Sequence, residues 1–75
     1  MRDLLLALAR ALVSRPDQVS VRAHEEEGVV RLDLHVAPDD RGRVIGRHGR
    51  TAQAMRTLVG FVARRHGLRA ELEIV

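Results

Sequence analysis

The 75-residue sequence has no cysteine, no lysine, no tryptophan and no tyrosine, and a single phenylalanine is its only aromatic residue. Without cysteine, neither disulfide bonds nor thiolate metal clusters are possible, so packing alone must hold the fold together. The longest apolar stretch, Leu4 to Val13, is interrupted by Arg10 and is too short to span a bilayer. It also lacks the basic leader and the cleavage site of an export signal. We therefore expect a cytoplasmic protein that makes no membrane contact.

The short length limits the kind of function that the chain can have. There is room for one domain, spanning residues 1–75, and a domain of this size buries only about 60% of the surface that its unfolded chain exposes. Little core remains in which to build a deep catalytic cleft. The four histidines, at positions 24, 35, 48 and 66, have no short ligand spacing, so no metal and no other cofactor is expected. These features predict a protein that is not an enzyme.

Charge is distributed unevenly along the chain. The formal net charge is +3, but the segment from Arg41 to Arg69 contains eight arginines and no acid. The remainder contains five arginines and ten acids. All 13 cations are arginine, whose planar guanidinium matches the geometry of a phosphate group. A basic segment of one sign in a small domain predicts binding to a polyanion.

Hydrophobic periodicity divides the chain into six elements. Asp3 is predicted to cap a first helix with apolar residues at helical spacing, which Pro16 ends. Apolar and polar residues alternate in three further segments, as is typical of half-buried strands. The predicted elements are a helix from Asp3 to Pro16, strands over 18–24 and 30–36 joined by a polar turn over 25–28, a short helix from Asp39 to Ile45, a helix from Thr51 to about His66 that Gly67 ends, and a strand over 68–74. This order, α-β-β-α-α-β, predicts an α+β domain in which three helices cover one face of a three-stranded sheet.

The segment 42–51, with the sequence GRVIGRHGRT, joins the last two predicted helices. Gly46 and Gly49 lack a Cβ atom, which allows a sharp turn and a close approach to another backbone. Free amides at the start of the following helix favour an anion, and its dipole adds to that preference. The side chains beside the glycines add polar or charged donors: Arg47, His48 and Arg50. The segment therefore predicts contact with a phosphodiester backbone; the alternative is an ordinary connection in which Gly46 ends one helix and Gly49 forms a turn.

The run V-I-G-R-H-G-R-T resembles the I-G-x-x-G signature of KH domains, and the order of elements is similar to their bacterial, type II arrangement. Over its whole length, Met1 to Val75, the chain resembles the small stand-alone bacterial KH proteins of the KhpA family. The resemblance implies a non-catalytic protein that holds about four nucleotides of single-stranded RNA, with the G-x-x-G loop clamping the backbone. It also implies post-transcriptional regulation, including RNA chaperoning and control of cell elongation and division.

The same resemblance implies which residues contact RNA. Gly46, Arg47, His48 and Gly49 correspond to the clamp. Val44 and Ile45 correspond to the apolar floor under the bases, Arg43 and Arg50 border it, and strand residues from Arg31 to Leu34 lie near the opposite wall.

The last predicted helix has more apolar surface than one core requires. Ala52, Met55, Val59 and Val62 share one face, and a second stripe is formed by Ala54, Leu58 and Phe61. This second stripe either packs beneath the first helix or a loop of the same domain, or forms a self-association surface. The family resemblance implies a homodimer, and also a heterodimer with a larger KH-containing protein, KhpB, which is also called Jag or EloR.

Other classes of function remain open or are excluded by particular residues. A protein-interaction module that mainly stabilises a KH partner is one alternative, and a DNA-binding domain, including a helix-turn-helix reader, is another. A phosphate-binding NTPase loop is excluded, because valine stands at position 44 where it needs glycine and arginine at position 50 where it needs lysine.

Overall fold

The computed structural model describes residues 1–75 and confirms the α+β class and the predicted order of elements. Three single-turn 3-10 helices lie between the main elements. None of the helices has both the length and the apolar character needed to cross a membrane. The main elements are α1 (Arg2–Leu12), β1 (Ser20–Glu26), β2 (Val29–His35), α2 (Arg41–Ile45), α3 (Arg50–Arg65) and β3 (Arg69–Ile74).

The sheet has the order β1-β2-β3, with β1 antiparallel and β3 parallel to the central strand. The predicted hairpin is confirmed, but β1 runs on to Glu26, which pairs with Val29. The turn therefore contains only Glu27 and Gly28, whose φ angles of 52° and 79° are those of a tight two-residue hairpin turn. The polar turn predicted over 25–28 was too long, because polar composition does not prevent an exposed edge strand from pairing.

The core lies between the inner face of the sheet and the three helices. Val30, Leu32 and Leu34 alternate inward along β2, while Leu5 and Ala9 enter the core from α1. From α3 the buried residues are Ala52, Met55, Val59 and Ala63. Ala63 thus completes the buried face instead of the predicted Val62, which is half-buried.

The first helix differs from the prediction at both ends. Met1 occupies the N-cap position and makes no side-chain cap, so Asp3 lies inside the first turn rather than capping it. At the other end α1 stops at Leu12, before Pro16 is reached, because the amides of Ser14 and Arg15 donate to the carboxylate of Asp40 instead of continuing the helix.

At each edge of the sheet, an arginine side chain donates a hydrogen bond to a backbone carbonyl that is not paired with a neighbouring strand. Arg2 Nε donates to the carbonyl of Val21 on β1 at 3.0 Å, and Arg56 Nε donates to the carbonyl of Leu72 on β3 at 3.4 Å. An added strand would need these carbonyls as acceptors. Each of the two arginines therefore competes with an added strand for one carbonyl at its edge of the sheet.

Candidate nucleic-acid interface

The backbone of residues 46–49 is a tight loop between α2 and α3. Gly46 has φ 77° and ψ 170°, a region that is essentially restricted to glycine, and the next turn contains His48 (φ 58°) and Gly49 (φ 73°). The amide of Gly46 donates to the carbonyl of Gly42 at 2.9 Å, and that of Gly49 donates to the carbonyl of Gly46 at 3.1 Å. The loop is therefore held by its own backbone, and it projects the side chains of Arg47 and His48 outward, where both are exposed.

The two glycines have different surroundings. A Cβ atom added to Gly46 would overlap Thr51 Oγ1 and would lie 2.7 Å from Thr51 Cβ and 2.9 Å from Thr51 N. At Gly49 an added Cβ would meet nothing within 4 Å. Thr51 makes no side-chain cap for α3 and packs against Gly46. Only Gly46 is thus required by close packing within the chain itself.

No side chain caps the start of α3. Gly49 occupies the N-cap position and has no side-chain oxygen, so the first amides of this 16-residue helix have no side-chain partner. Those amides and the positive end of the helix dipole lie directly beside the exposed Arg47 and Arg50. The amides of Gly49 and Arg50 donate to the carbonyls of Gly46 and Arg47, so the arrangement places the positive end of a helix dipole and two arginine side chains at one place.

The residues predicted to form the floor and the opposite wall are only partly at the surface. Ile45 is 41% exposed, but Val44 is fully buried, so Val44 supports the loop from within and has no side-chain surface for a base. Leu32 and Leu34 are also buried in the core. Arg31 lies on the outer face of the sheet, where its Nε is 3.4 Å from Glu71 Oε1. Val44 therefore does not offer the apolar side-chain surface that was predicted, because the packing of α2 turns it inward. The placement of residues 31–34 near the opposite wall stays a prediction.

The arginines of the basic segment are not equally available to an anion. Arg43 Nε lies 3.5 Å from Asp40 Oδ1, so its charge is partly balanced by a carboxylate of the same chain. Arg47 and Arg50 have no acidic side chain within ion-pair distance. Arg43 is the only arginine of the basic segment in an ion pair, and Arg47 and Arg50 are the unpaired arginines that lie in the loop and at the start of α3.

Asp40 is the one charged residue in the core, with no exposed surface. Its Oδ1 accepts hydrogen bonds from the amide of Ser14 at 3.0 Å and from the hydroxyl of Ser14 at 2.9 Å, and its Oδ2 accepts one from the amide of Arg15 at 3.2 Å. The amide of Ser14 holds the pKa of Asp40 below its usual value; burial opposes this effect, and the hydroxyl, the amide of Arg15 and the charge of Arg43 add to it. No local sequence pattern shows that residues 14 and 40 meet, so the sequence alone does not predict this contact.

The second apolar stripe of α3 lies at the surface. Leu58 and Phe61 are 46% and 48% exposed, and Ala54 is exposed as well. The interpretation in which Leu58 and Phe61 pack beneath the first helix is therefore wrong. The guanidinium carbon of Arg65 lies 5.8 Å from the centre of the Phe61 ring, which places a cation beside the stripe.

Outside the loop, the surface offers little that resembles a ligand site. Two shallow depressions, of about 240 and 340 Å³, both lie on the outer face of the sheet and are lined mainly by charged side chains. His24 lies 3.5 Å from Glu26 on this face, and both side chains are largely exposed. No group of three or more histidine, aspartate or glutamate side chains is arranged to hold a metal ion.

Comparison with known proteins gives consistent matches along the chain. The family described as KhpA/KhpB, KH domain, matches residues 2–74. The RNA-binding protein KhpA of Treponema pallidum is 47% identical over 73 residues, which cover 97% of this chain and 91% of that protein. The RNA-binding protein KhpA of Caldanaerobacter subterraneus is 43% identical over 75 residues, which cover all of both chains. That of Halalkalibacterium halodurans is 41% identical over 75 residues, covering all of this chain and 99% of the other.

Proposed function

Because the chain belongs to the KhpA/KhpB family of KH domains, we propose that residues 1–75 form a single, non-catalytic domain that clamps single-stranded RNA with the loop from Gly46 to Gly49. The observation that carries the proposal is the glycine-dependent loop, which exposes Arg47 and His48 beside the uncapped start of α3. Relatives that match this chain over nearly their whole length are named as RNA-binding proteins.

The clamp acts mainly on phosphate groups. Backbone amides at a helix start and the unpaired guanidinium groups of Arg47 and Arg50 both favour an anion, and neither reads a base. Ile45 provides apolar surface for a base beside the loop. Such a groove has modest selectivity, so a second KH domain on the same RNA would raise the overall affinity through effective concentration.

Fluorescence-anisotropy titration of a pooled single-stranded RNA at two salt concentrations tests the proposal. We expect affinity to fall with salt, with a log–log slope of about 1.4 to 2, because each phosphate neutralised on a single strand contributes about 0.7 and two or three contacts are available. We also expect RNA to compete better than DNA of the same sequence, since the 2′-hydroxyl lets a protein distinguish RNA from DNA.

Each alternative function has its own outcome in this experiment. Equal competition by RNA and DNA would favour the DNA-binding alternative. Absence of binding by a chain whose circular dichroism shows that it is folded would favour the protein-interaction module.

We also propose that the stripe of Ala54, Leu58 and Phe61 is an assembly surface. Two large apolar side chains, each about half exposed, support this on so small a domain. The partners proposed are a second copy and a KhpB-like KH protein. The charge of α3 affects binding of the two partners differently, because α3 contains four arginines and no acid. Two copies of α3 bring like charges together, whereas a partner with acidic residues beside its own stripe would compensate for them.

Sedimentation velocity at about 0.05 and 0.5 M salt tests self-association. We expect the dimer fraction to rise with salt, because screening weakens the repulsion between the arginines of the two helices while the apolar contact persists. Leu58→Gln/Phe61→Gln should be monomeric at both salt concentrations. Leu12→Gln is the matched control, since Leu12 is 38% exposed on α1 and should not affect assembly. A wild-type chain that is monomeric at 100 µM in both conditions would contradict the homodimer.

The cellular role proposed is post-transcriptional regulation in the cytoplasm, with RNA chaperoning and control of cell elongation through a KhpB-like partner. Family membership supports this role. Simultaneous use of the loop and of the α3 stripe would give such an assembly two RNA-binding grooves.

A further inference from the structure

Asp40 connects two parts of the chain that are far apart in sequence. Its carboxylate, fully buried, accepts three hydrogen bonds from Ser14 and Arg15, which lie 26 and 25 positions earlier in the chain. Both carboxylate oxygens accept hydrogen bonds, and the donors lie in a segment that belongs neither to a strand nor to a helix. The connection between α1 and β1 is therefore tied by a charge to the residue immediately before α2.

The helix that follows Asp40 cannot hold its own orientation. It contains five residues and is only about 7.5 Å long, far shorter than a helix that is stable in isolation. Val44 is its single buried residue. Three contacts therefore fix α2: Asp40 at its start, Val44 in its middle, and the packing of Gly46 against Thr51 at its end. Loss of the first contact leaves the start of α2 free to move while its end carries the loop.

We propose, on the basis of the function proposed above, that Asp40 is a positioning residue for RNA binding: by tying α2 to Ser14 and Arg15, it sets the place of the loop from Gly46 to Gly49. Asp40 itself has no exposed surface and does not touch RNA. When α2 is loosened, only a fraction of the molecules presents the loop correctly, and the apparent affinity falls by that fraction. The role differs from that of Arg43, which contacts Asp40 at 3.5 Å but is largely exposed.

The experiment compares RNA affinity and loop conformation in three variants at 10 °C. Asp40→Asn preserves the shape of the side chain but removes its negative charge. It also replaces one of the two oxygens that accept hydrogen bonds from the amides of Ser14 and Arg15 by an NH2 group, which cannot accept them. We expect RNA binding about tenfold weaker, together with shifted or broadened NMR amide signals of Gly46 and Gly49 in the absence of RNA. Ser14→Ala removes only the hydroxyl donor and should weaken binding about threefold.

Val21→Ala controls for general loss of stability. Val21 is buried on β1, and its truncation lowers the melting temperature without removing any contact of α2 described above. We expect this variant, compared while folded, to bind RNA within twofold of wild type and to leave the signals of Gly46 and Gly49 in place.

The possible results separate this inference from the proposed function. A folded wild-type chain that binds no RNA would overturn the proposed function. A wild-type chain that binds RNA, with Asp40→Asn within twofold of it or with Val21→Ala as weak as Asp40→Asn, would overturn the positioning role. Should Asp40→Asn be unfolded at 10 °C, the milder Ser14→Ala decides, and unchanged binding together with unchanged Gly46 and Gly49 signals would overturn the role.

Discussion

Replacement of Arg47 and His48 together by aspartate is expected to weaken binding of single-stranded RNA by roughly 100-fold near 0.1 M salt, with the fold unchanged. Both side chains are exposed and make no ion pair or hydrogen bond with another side chain. Position 48 has φ 58°, a left-handed conformation that aspartate tolerates better than most residues do. The substitution therefore puts two negative charges where phosphate is proposed to bind, at little structural cost.

The outer face of the sheet offers a matched control for this variant. Arg22→Asp/His24→Asp makes the same change in net charge at two exposed positions on β1, away from the loop. Anisotropy titration of both variants, with circular dichroism to show that each is folded, separates local from global electrostatics. Equal loss of affinity in the two variants would mean that RNA senses only the overall charge, and the assignment of the clamp to residues 46–49 would be wrong.

Gly46→Ala is expected to lower the free energy of unfolding by about 4 kcal/mol, because alanine must adopt a conformation reserved for glycine and its Cβ must displace Thr51. Gly49→Ala is expected to cost only about 1 kcal/mol, since its φ of 73° strains alanine but its surroundings are open. Urea unfolding measures both values. The two glycines of one short motif therefore differ in what the fold requires of them.

A second substitution tests the physical reason for this difference. Thr51→Ala removes the hydroxyl whose oxygen lies nearest to a Cβ added at position 46, so Gly46→Ala should cost less in that background. Part of the cost should persist, because Thr51 N is also within 2.9 Å of the added Cβ. Equal costs for the two glycine variants in the wild-type background would show that packing against Thr51 has no part in the loop.

The fold could be predicted from the sequence because each element repeats one simple pattern. Alternation along β2 predicts Val30, Leu32 and Leu34 on one face, and all three are buried. Gly67 ends α3 as predicted, with φ 72°, its amide donating to the carbonyl of Arg64 and that of Leu68 to the carbonyl of Ala63. The predictions were wrong at the ends of elements. There, polar residues such as Glu26 still pair in the sheet, or backbone amides donate to a side chain from a distant part of the chain.

The candidate site could be predicted only where local sequence determines local geometry. Gly46 and Gly49 are visible because a positive φ needs glycine, and both have one. The burial of Val44 depends on how α2 packs, and the contact of Asp40 with Ser14 depends on the whole fold, so neither is visible in a short motif. Whether Leu58 and Phe61 are exposed or covered depends on where the rest of the domain packs against α3, which the sequence of α3 alone does not determine.

The arginines on the two edges of the sheet act against one route of assembly, the addition of strands from further copies of the chain. With Val21 and Leu72 each covered by a guanidinium group, the sheet is a poor template for the open-ended stacking of chains. The stripe on α3 is the assembly surface proposed above. A surface that pairs with the same surface of a second copy is buried in the dimer and is not available to a third copy. Assembly through the proposed stripe would therefore stop at two copies, and higher concentration would be expected to fill dimers instead of lengthening fibres.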